Sequence, residues 1–106
     1  MQVLLDNCVP VRLGRLIAGH KVENVVTLGW AAFPDKALLE AMTGKFEVLV
    51  SVDKSLPFQQ NLVGRTFGVV ILRACSNRLA DLTPLVPDLL RELQSLSPGD
   101  LRLIGL

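Results

Sequence analysis

The chain has 106 residues, half of them hydrophobic and a fifth charged, with a formal net charge of +1 at pH 7. These values suit a single domain over residues 1–106 and exclude a chain whose overall charge attracts nucleic acid. No apolar run approaches the roughly 20 residues of a membrane helix, and no signal peptide opens the sequence, so we expect a soluble, cytoplasmic protein.

Short apolar runs alternate with amphipathic segments along the first half of the chain. Residues 2–6 predict a buried strand, residues 9–20 a helix closed by Gly19, and residues 22–28 a second strand. After the loop GWAAF, residues 34–45 predict a helix that begins near Pro34 and is stopped by Gly44.

The second half continues the alternation. Residues 46–53 and 67–74 predict two further strands, separated by an irregular segment with one short helical turn.

A leucine-rich stripe follows in residues 76–96, and it predicts core packing, with coiled-coil pairing as the alternative. Pro84 and Pro87 interrupt the stripe, so we expect the main helix to begin near one of them, after a short turn at 79–82. A last strand is predicted at 101–106.

This order of elements predicts a three-layer α/β/α domain with a mostly parallel central sheet. We expect strands one and three to be neighbours at its centre. Ligands bind such sheets outside the carboxyl ends of the strands.

Three acids are predicted to meet at that edge. Asp6 ends the first strand, Asp53 ends the third, and Asp35 opens the helix that follows the second. Clustered carboxylates need a counter-charge, which Mg²⁺ or Mn²⁺ supplies with waters in its shell. Such an ion activates water for phosphodiester cleavage, so the three acids are candidate metal ligands and catalytic residues.

Polar side chains near these acids are candidate contacts for a nucleic-acid backbone. They are Asn7, Lys54, Asn61, Asn77 and Arg78.

Each acid also has a purely structural interpretation. Asp35 is favourable at any helix start, and Asp53 suits an Asx turn that leaves the strand. Asp6 is the hardest to explain by structure alone, because a carboxylate beside a buried strand is costly without partners. Lys54 is an alternative counter-charge that would pair with Asp6 or Asp53 in place of a metal.

Few other residues suggest chemistry. Cys8 and Cys75 match no metal or redox spacing and are expected to be reduced. His20 lies in a polar turn with no second ligand nearby. Trp30 and Phe33 are expected to be partly exposed beside the crevice or in a subunit contact, with core burial as the alternative.

Four stretches resemble, in order and over about residues 2–104, the small bacterial PIN-like domain proteins related to VapC-type toxin nucleases. They are LLDNCVP, GWAAFPDKALLEAM, FEVLVSVDKSLPFQQNL and VVILRACSNRLADLTPLVPDLL. The resemblance implies a PIN-like fold and a Mg²⁺- or Mn²⁺-dependent ribonuclease site, with its acids at Asp6, Asp35 and Asp53. It also implies RNA as substrate, an antitoxin protein as partner, and a homo-oligomer.

The chain departs from that family at two positions. Ser55 stands where relatives often have a second Asp, and Asn7 follows the first acid where relatives often have Glu. Ser55 and Lys54 favour the alternative of a non-catalytic PIN-like module that binds protein or nucleic acid, whereas three acids at one edge favour the enzyme.

Overall fold

Five parallel strands form one sheet in the computed structural model, which describes residues 1–105 apart from the side chains of Pro57 and Phe58. The strands are β1 (Gln2–Leu5), β2 (Lys21–Asn24), β3 (Val48–Ser51), β4 (Gly68–Arg73) and β5 (Leu101–Gly105). Their order across the sheet is β2-β1-β3-β4-β5, and all four pairings are parallel. The predicted α/β class is confirmed, and so is the pairing of the first and third strands. The last residue of the predicted fifth strand, Leu106, lies outside the described residues.

Helices connect the strands. The α-helices are α1 (Asp35–Met42), α2 (Leu56–Gln59), α3 (Leu79–Leu82) and α4 (Val86–Ser95), and 3₁₀ helices span Val11–Leu16 and Thr83–Leu85. The predicted turn at 79–82 is α3, and the main helix begins between the two prolines, as expected. Pro87 fits there because the first turn of a helix has no use for its missing N–H. Gly44, with φ of 78°, follows α1 and ends it as predicted.

Alternate residues of the strands build two apolar layers on opposite faces of the sheet. On one face, Val3, Val50 and Ile104 pack with Leu13 and with Leu89 of α4. The other face packs against α1 and α2 through a second cluster: Leu4, Val25, Leu38, Leu39, Met42, Phe46, Leu49, Leu56, Phe67, Val69 and Ile71. The buried strands therefore carry nearly continuous apolar runs, as a sheet covered on both faces requires.

The prediction of a helix over residues 9–20 is wrong in type and in length. The segment forms a 3₁₀ helix of six residues, Val11–Leu16. Gly14 allows this segment to approach β2, since a Cβ at that position would lie 3.0 Å from Val22 Cγ1. A glycine in mid-segment also lowers the propensity for an α-helix.

The second strand is shorter than predicted, because a side chain redirects the backbone at its end. The Oδ1 atom of Asn24 accepts a hydrogen bond from the Thr27 N–H at 2.8 Å, which turns the chain. Val25 is buried although it lies in this turn, and its burial explains why the apolar pattern continued past the strand.

Gly68, the first residue of β4, permits the closest packing between the sheet and the segment after α4. A Cβ built there would lie 2.9 Å from the Cγ and Cδ2 atoms of Leu96. Among residues 1–105, no helix combines the length and hydrophobicity needed to cross a bilayer.

Candidate active site

Asp6 stands at the carboxyl end of β1, an interior strand of the sheet, and is 8% exposed. Its N–H donates to the Val50 carbonyl at 3.0 Å, which extends the pairing of β1 with β3 by one residue. Its carboxylate accepts two hydrogen bonds of 2.8 Å, to Oδ1 from the Asn7 N–H and to Oδ2 from the Ser51 hydroxyl. A nearly buried carboxylate is thereby held in one orientation by donors from two chain segments.

Ser51 links the two strand-end acids, and sequence reasoning did not single it out. The side chain is fully buried. Its Oγ donates to Asp6 and accepts the Asp53 N–H at 3.0 Å, and the Cys8 Sγ lies 3.5 Å away. A serine that ends the apolar run VLVS two residues before Asp53 was the available signal, since a fully buried hydroxyl needs a partner.

Asp53 follows β3 by two residues and takes part in the predicted Asx turn. Its Oδ1 accepts the Ser55 N–H at 3.0 Å and the Ser55 hydroxyl at 2.6 Å. Ser55 thus orients the Asp53 carboxylate. Both hydrogen bonds in this turn end on Oδ1. The geometry therefore fits a purely structural Asx turn, and it also fits a metal ligand that binds through Oδ2.

Asp35 occupies the first turn of α1, after the N-cap residue Pro34. The pKa of its carboxyl is raised, mainly by burial and to a smaller extent by the negative charges of Asp53 and Asp6. The three predicted acids therefore share one electrostatic environment at the carboxyl edge of the sheet. The favourable position at a helix start, which the structural interpretation invoked, applies to Asp35 as well.

The chemistry of these donors fits a hard divalent cation, but three ligands are not preassembled. Among residues 1–105, no group of three or more His, Cys, Asp or Glu side chains is arranged to hold a metal ion. Mg²⁺ commonly binds one or two protein carboxylates and keeps several waters. The repulsion that raises the Asp35 pKa is the kind that a cation relieves.

Lys54 does not replace that cation by an ion pair. Within the described part of the chain, the ion pairs join Arg91 to Asp88 and Arg102 to Glu92 and Asp100, all on α4 or near β5. Lys54 follows Asp53 directly and is exposed.

Two of the predicted nucleic-acid contacts brace loops near the acids. The Asn7 Nδ2 donates to the Ala31 carbonyl at 3.2 Å, which fixes the loop that leads to α1. The Asn77 Nδ2 donates to the Cys8 carbonyl at 3.0 Å, which connects the loop after β4 to the loop after β1. Arg78 precedes α3 and is exposed.

Asn61, another predicted nucleic-acid contact, makes its hydrogen bonds within its own loop. Its Oδ1 accepts the Val63 N–H at 3.0 Å within its own loop, and its carbonyl accepts from Arg65 Nε at 3.2 Å. Its predicted contact with a nucleic acid stays a prediction.

Three aromatic rings form a group at the loop that precedes α1. Trp30 stacks on Phe33 with ring centroids 6.0 Å apart and planes inclined by 12°. Phe46, from the core, meets Trp30 edge-on at 6.1 Å, and the Lys45 ammonium lies 5.6 Å from the Trp30 centroid. Trp30 is half-buried and Phe33 is 41% exposed, so the expectation of partial exposure is confirmed.

A cavity of about 240 Å³ lies farther along the carboxyl edge, at the ends of β4 and β5. Arg73, Cys75, Asp81, Leu85 and Gly105 contribute to its lining. Arg73 Nη2 donates to the Gly105 carbonyl at 3.0 Å and Asp81 accepts from the Ser76 hydroxyl, whereas the buried Arg73 Nε has no hydrogen-bond partner within the described part of the chain. Asp6, Asp35 and Asp53 do not line the cavity. The cavity is therefore a feature separate from the cluster of acids.

The structure defines a class of protein: a three-layer α/β domain with carboxylates gathered at the carboxyl edge of a parallel sheet. A scan against protein-family models, a search of the curated proteins and a search of the solved structures each found no match.

Proposed function

We propose that the chain is a PIN-like ribonuclease that uses Mg²⁺ or Mn²⁺ and cleaves RNA at the carboxyl edge of its sheet. The observation that carries the proposal is the buried Ser51 hydroxyl, which donates to Asp6 Oδ2 at 2.8 Å and accepts the Asp53 N–H at 3.0 Å and so holds the two strand-end acids close together. Burial and then the charges of Asp53 and Asp6 raise the pKa of Asp35, which agrees with this grouping. Mutually repelling carboxylates at a ligand-binding edge are costly to the fold and useful to a metal-dependent enzyme.

The side chains have distinct tasks in this proposal. A divalent ion bound at these carboxylates supplies charge neutralisation and lowers the pKa of a coordinated water. Asp6, held by Ser51 and by the Asn7 N–H, is the fixed ligand. Asp53, oriented by Ser55, is the second.

Asp35 is the carboxyl best suited to accept a proton, because its pKa is already raised. The water oxygen attacks the phosphorus, the bond from phosphorus to the leaving ribose oxygen breaks, the water proton passes to Asp35, and the leaving oxygen takes a proton from solvent. The exposed cations Lys54 and Arg78 bind backbone phosphates on either side.

The resemblance to VapC-type relatives suggests the biological role of a toxin. An antitoxin protein would then be the partner, a homo-oligomer the assembled form, and the cytoplasm the place where RNA is met. Cys8 and Cys75 are free thiols, which suits a reducing compartment.

A second candidate is a non-catalytic PIN-like module that binds protein or nucleic acid. The absence of a preassembled three-ligand group among residues 1–105 favours it, as does Ser55, which occupies Asp53 Oδ1 where an additional acid would add charge. In this alternative, the acids orient loops and bind no ion.

The test is a matched comparison of wild type, Asp6→Asn and Glu40→Gln. Glu40 lies on the exposed side of α1, the helix that carries Asp35, so its substitution controls for the loss of one negative charge. Each protein is incubated with single-stranded RNA in Mn²⁺ and in EDTA, and each is melted with and without Mn²⁺.

The proposal expects RNA cleavage and a Mn²⁺-dependent rise in melting temperature for wild type and Glu40→Gln, and neither for Asp6→Asn. An ion that binds only the folded chain stabilises it by mass action, about 2.7 kcal/mol at a hundredfold excess over Kd. The binding module would be favoured if Mn²⁺ did not change the melting temperature of wild type and if wild type and Asp6→Asn gave the same RNA products.

A further inference from the structure

Phe33 is the most exposed member of the aromatic group beside the acids. It is 41% exposed although it is a large apolar residue, whereas Trp30 is half-buried and Phe46 is buried. Its ring is nearly parallel to that of Trp30, with planes inclined by 12° and centroids 6.0 Å apart. Phe33 therefore presents aromatic surface to solvent on this loop.

The ring is held in place by the core. Trp30 meets the buried ring of Phe46 edge-on at 6.1 Å, and centroid separations near 6 Å lie within the attractive range for aromatic pairs. The Trp30 N–H donates to the Val25 carbonyl at 2.7 Å, and the Phe33 N–H donates to the Trp30 carbonyl at 3.0 Å. The Phe33 ring is therefore ordered before a ligand binds, and this lowers the entropic cost of binding.

The position of the ring relates it to the cluster of acids. Phe33 precedes Asp35 by two residues. The same loop is tied to the residue after Asp6, because Asn7 Nδ2 donates to the Ala31 carbonyl at 3.2 Å. A nucleotide with its phosphate at the acids would thus place a neighbouring base within reach of this loop.

We infer that Phe33 is a stacking platform for one unpaired base next to the cleaved phosphodiester. This inference rests on the proposed function. Phe33 has no polar atom and cannot read base edges, so any base stacks on it, and recognition tolerates sequence while requiring an unpaired strand. Bases inside a duplex are already stacked on one another and present no free face.

The experiment uses a short single-stranded RNA with 2-aminopurine, whose fluorescence is quenched by stacking, and a duplex of the same sequence. Wild type, Phe33→Leu and Phe33→Trp are compared in Mg²⁺, with fluorescence and affinity read on mixing, before products accumulate. Leucine keeps the apolar contact without a ring, and tryptophan keeps a ring. A thermal melt of each variant checks the fold, and cleavage by Asp6→Asn is measured alongside.

We expect Phe33→Leu to lose the quenching and to weaken single-strand binding by about 5- to 160-fold, the range that corresponds to one stacked base. Phe33→Trp should retain both, and the duplex should bind all three proteins alike. If Phe33→Leu binds and quenches like wild type while Asp6→Asn no longer cleaves, the platform is refuted and the proposed nuclease stands.

Two further outcomes overturn the inference. If wild type neither binds nor cleaves RNA, the inference and the proposed function both fail. If Phe33→Leu leaves RNA binding intact but lowers the mass of the protein in solution, the ring belongs to a protein interface.

Discussion

Replacing Ser51 by alanine removes a side chain that is hydrogen-bonded to both strand-end acids. The hydroxyl donates to Asp6 Oδ2 at 2.8 Å and accepts the Asp53 N–H at 3.0 Å, with no exposure to solvent. Alanine leaves the Asp6 carboxylate with one donor fewer in a site that is 8% exposed. It also leaves the Asp53 N–H without this acceptor.

The expected loss of stability follows from these two bonds. A hydrogen bond to a charged group contributes about 1.5–3 kcal/mol, and a buried donor left unsatisfied costs about 1–3 kcal/mol. Because the two effects share one hydroxyl and some relaxation follows, we expect a loss of about 2–4 kcal/mol in the free energy of unfolding. For a domain of this size, each kcal/mol corresponds to about 4–8 °C in Tm.

Urea denaturation and thermal melting of Ser51→Ala measure this loss. Ser97→Ala is the matched control, because Ser97 is exposed and lies in the turn before β5. Ser51→Thr keeps the hydroxyl and should recover part of the stability, limited by the space for its extra methyl group. A Ser51→Ala protein as stable as Ser97→Ala would refute the reasoning, since it would mean that the hydroxyl contributes no net stabilisation to either acid.

Three more predictions concern single positions. The folded-state pKa of Asp35 is raised, so its charge destabilises the fold at neutral pH, and this penalty disappears as the pH falls and the carboxyl is protonated. In metal-free buffer, Asp35→Asn should therefore raise the free energy of unfolding by less than about 1 kcal/mol at pH 7 and leave it unchanged at acidic pH. Urea unfolding at the two pH values measures the gain, and a gain independent of pH would contradict the prediction. Gly68→Ala should destabilise by about 1–3 kcal/mol through overpacking, because its Cβ would lie 2.9 Å from Leu96. The double substitution with Leu96→Ala should cost less than the sum of the two single changes, and strict additivity would refute the steric cause. Finally, burial raises the pKa of the Cys8 thiol, whereas Cys75 is exposed, so an alkylating reagent followed by mass spectrometry should modify Cys75 first; equal rates at pH 7 would contradict the difference.

Much of the architecture follows from simple patterns in the chain. Consecutive apolar residues in the segments that became β1, β3 and β4 predicted a buried parallel sheet, and the turn chemistry of Gly44 ended α1 where it was expected. The main helix begins at Val86, next to Pro87, and this confirms the prediction that it begins near one of the two prolines, because proline is tolerated in a first turn and not in a helix interior. These signals are local, and local physics decides them.

The misses have a different origin. The end of β2 depends on a hydrogen bond from Thr27 to the Asn24 side chain, while the apolar pattern continued into a buried turn. The 3₁₀ segment lies so close to Val22 at Gly14 that a Cβ there would be 3.0 Å from Val22 Cγ1. Ser51 was overlooked because its partners, Asp6 and the Asp53 N–H, are revealed only by the pairing of β1 with β3. In each case, a contact distant in sequence or a single side chain overrides the pattern.

The parallel order of the sheet also governs how the chain reaches its fold. β1 and β2 can pair early, but the other edge of β1 waits for β3, and β5 does not begin until Leu101. Every parallel pairing closes a long loop before its contacts form, which slows folding. Until these pairings form, the apolar segments of β1 and β3 are exposed with unpaired edges, and partly folded chains of this kind associate with one another. Refolding yield should therefore fall as protein concentration rises.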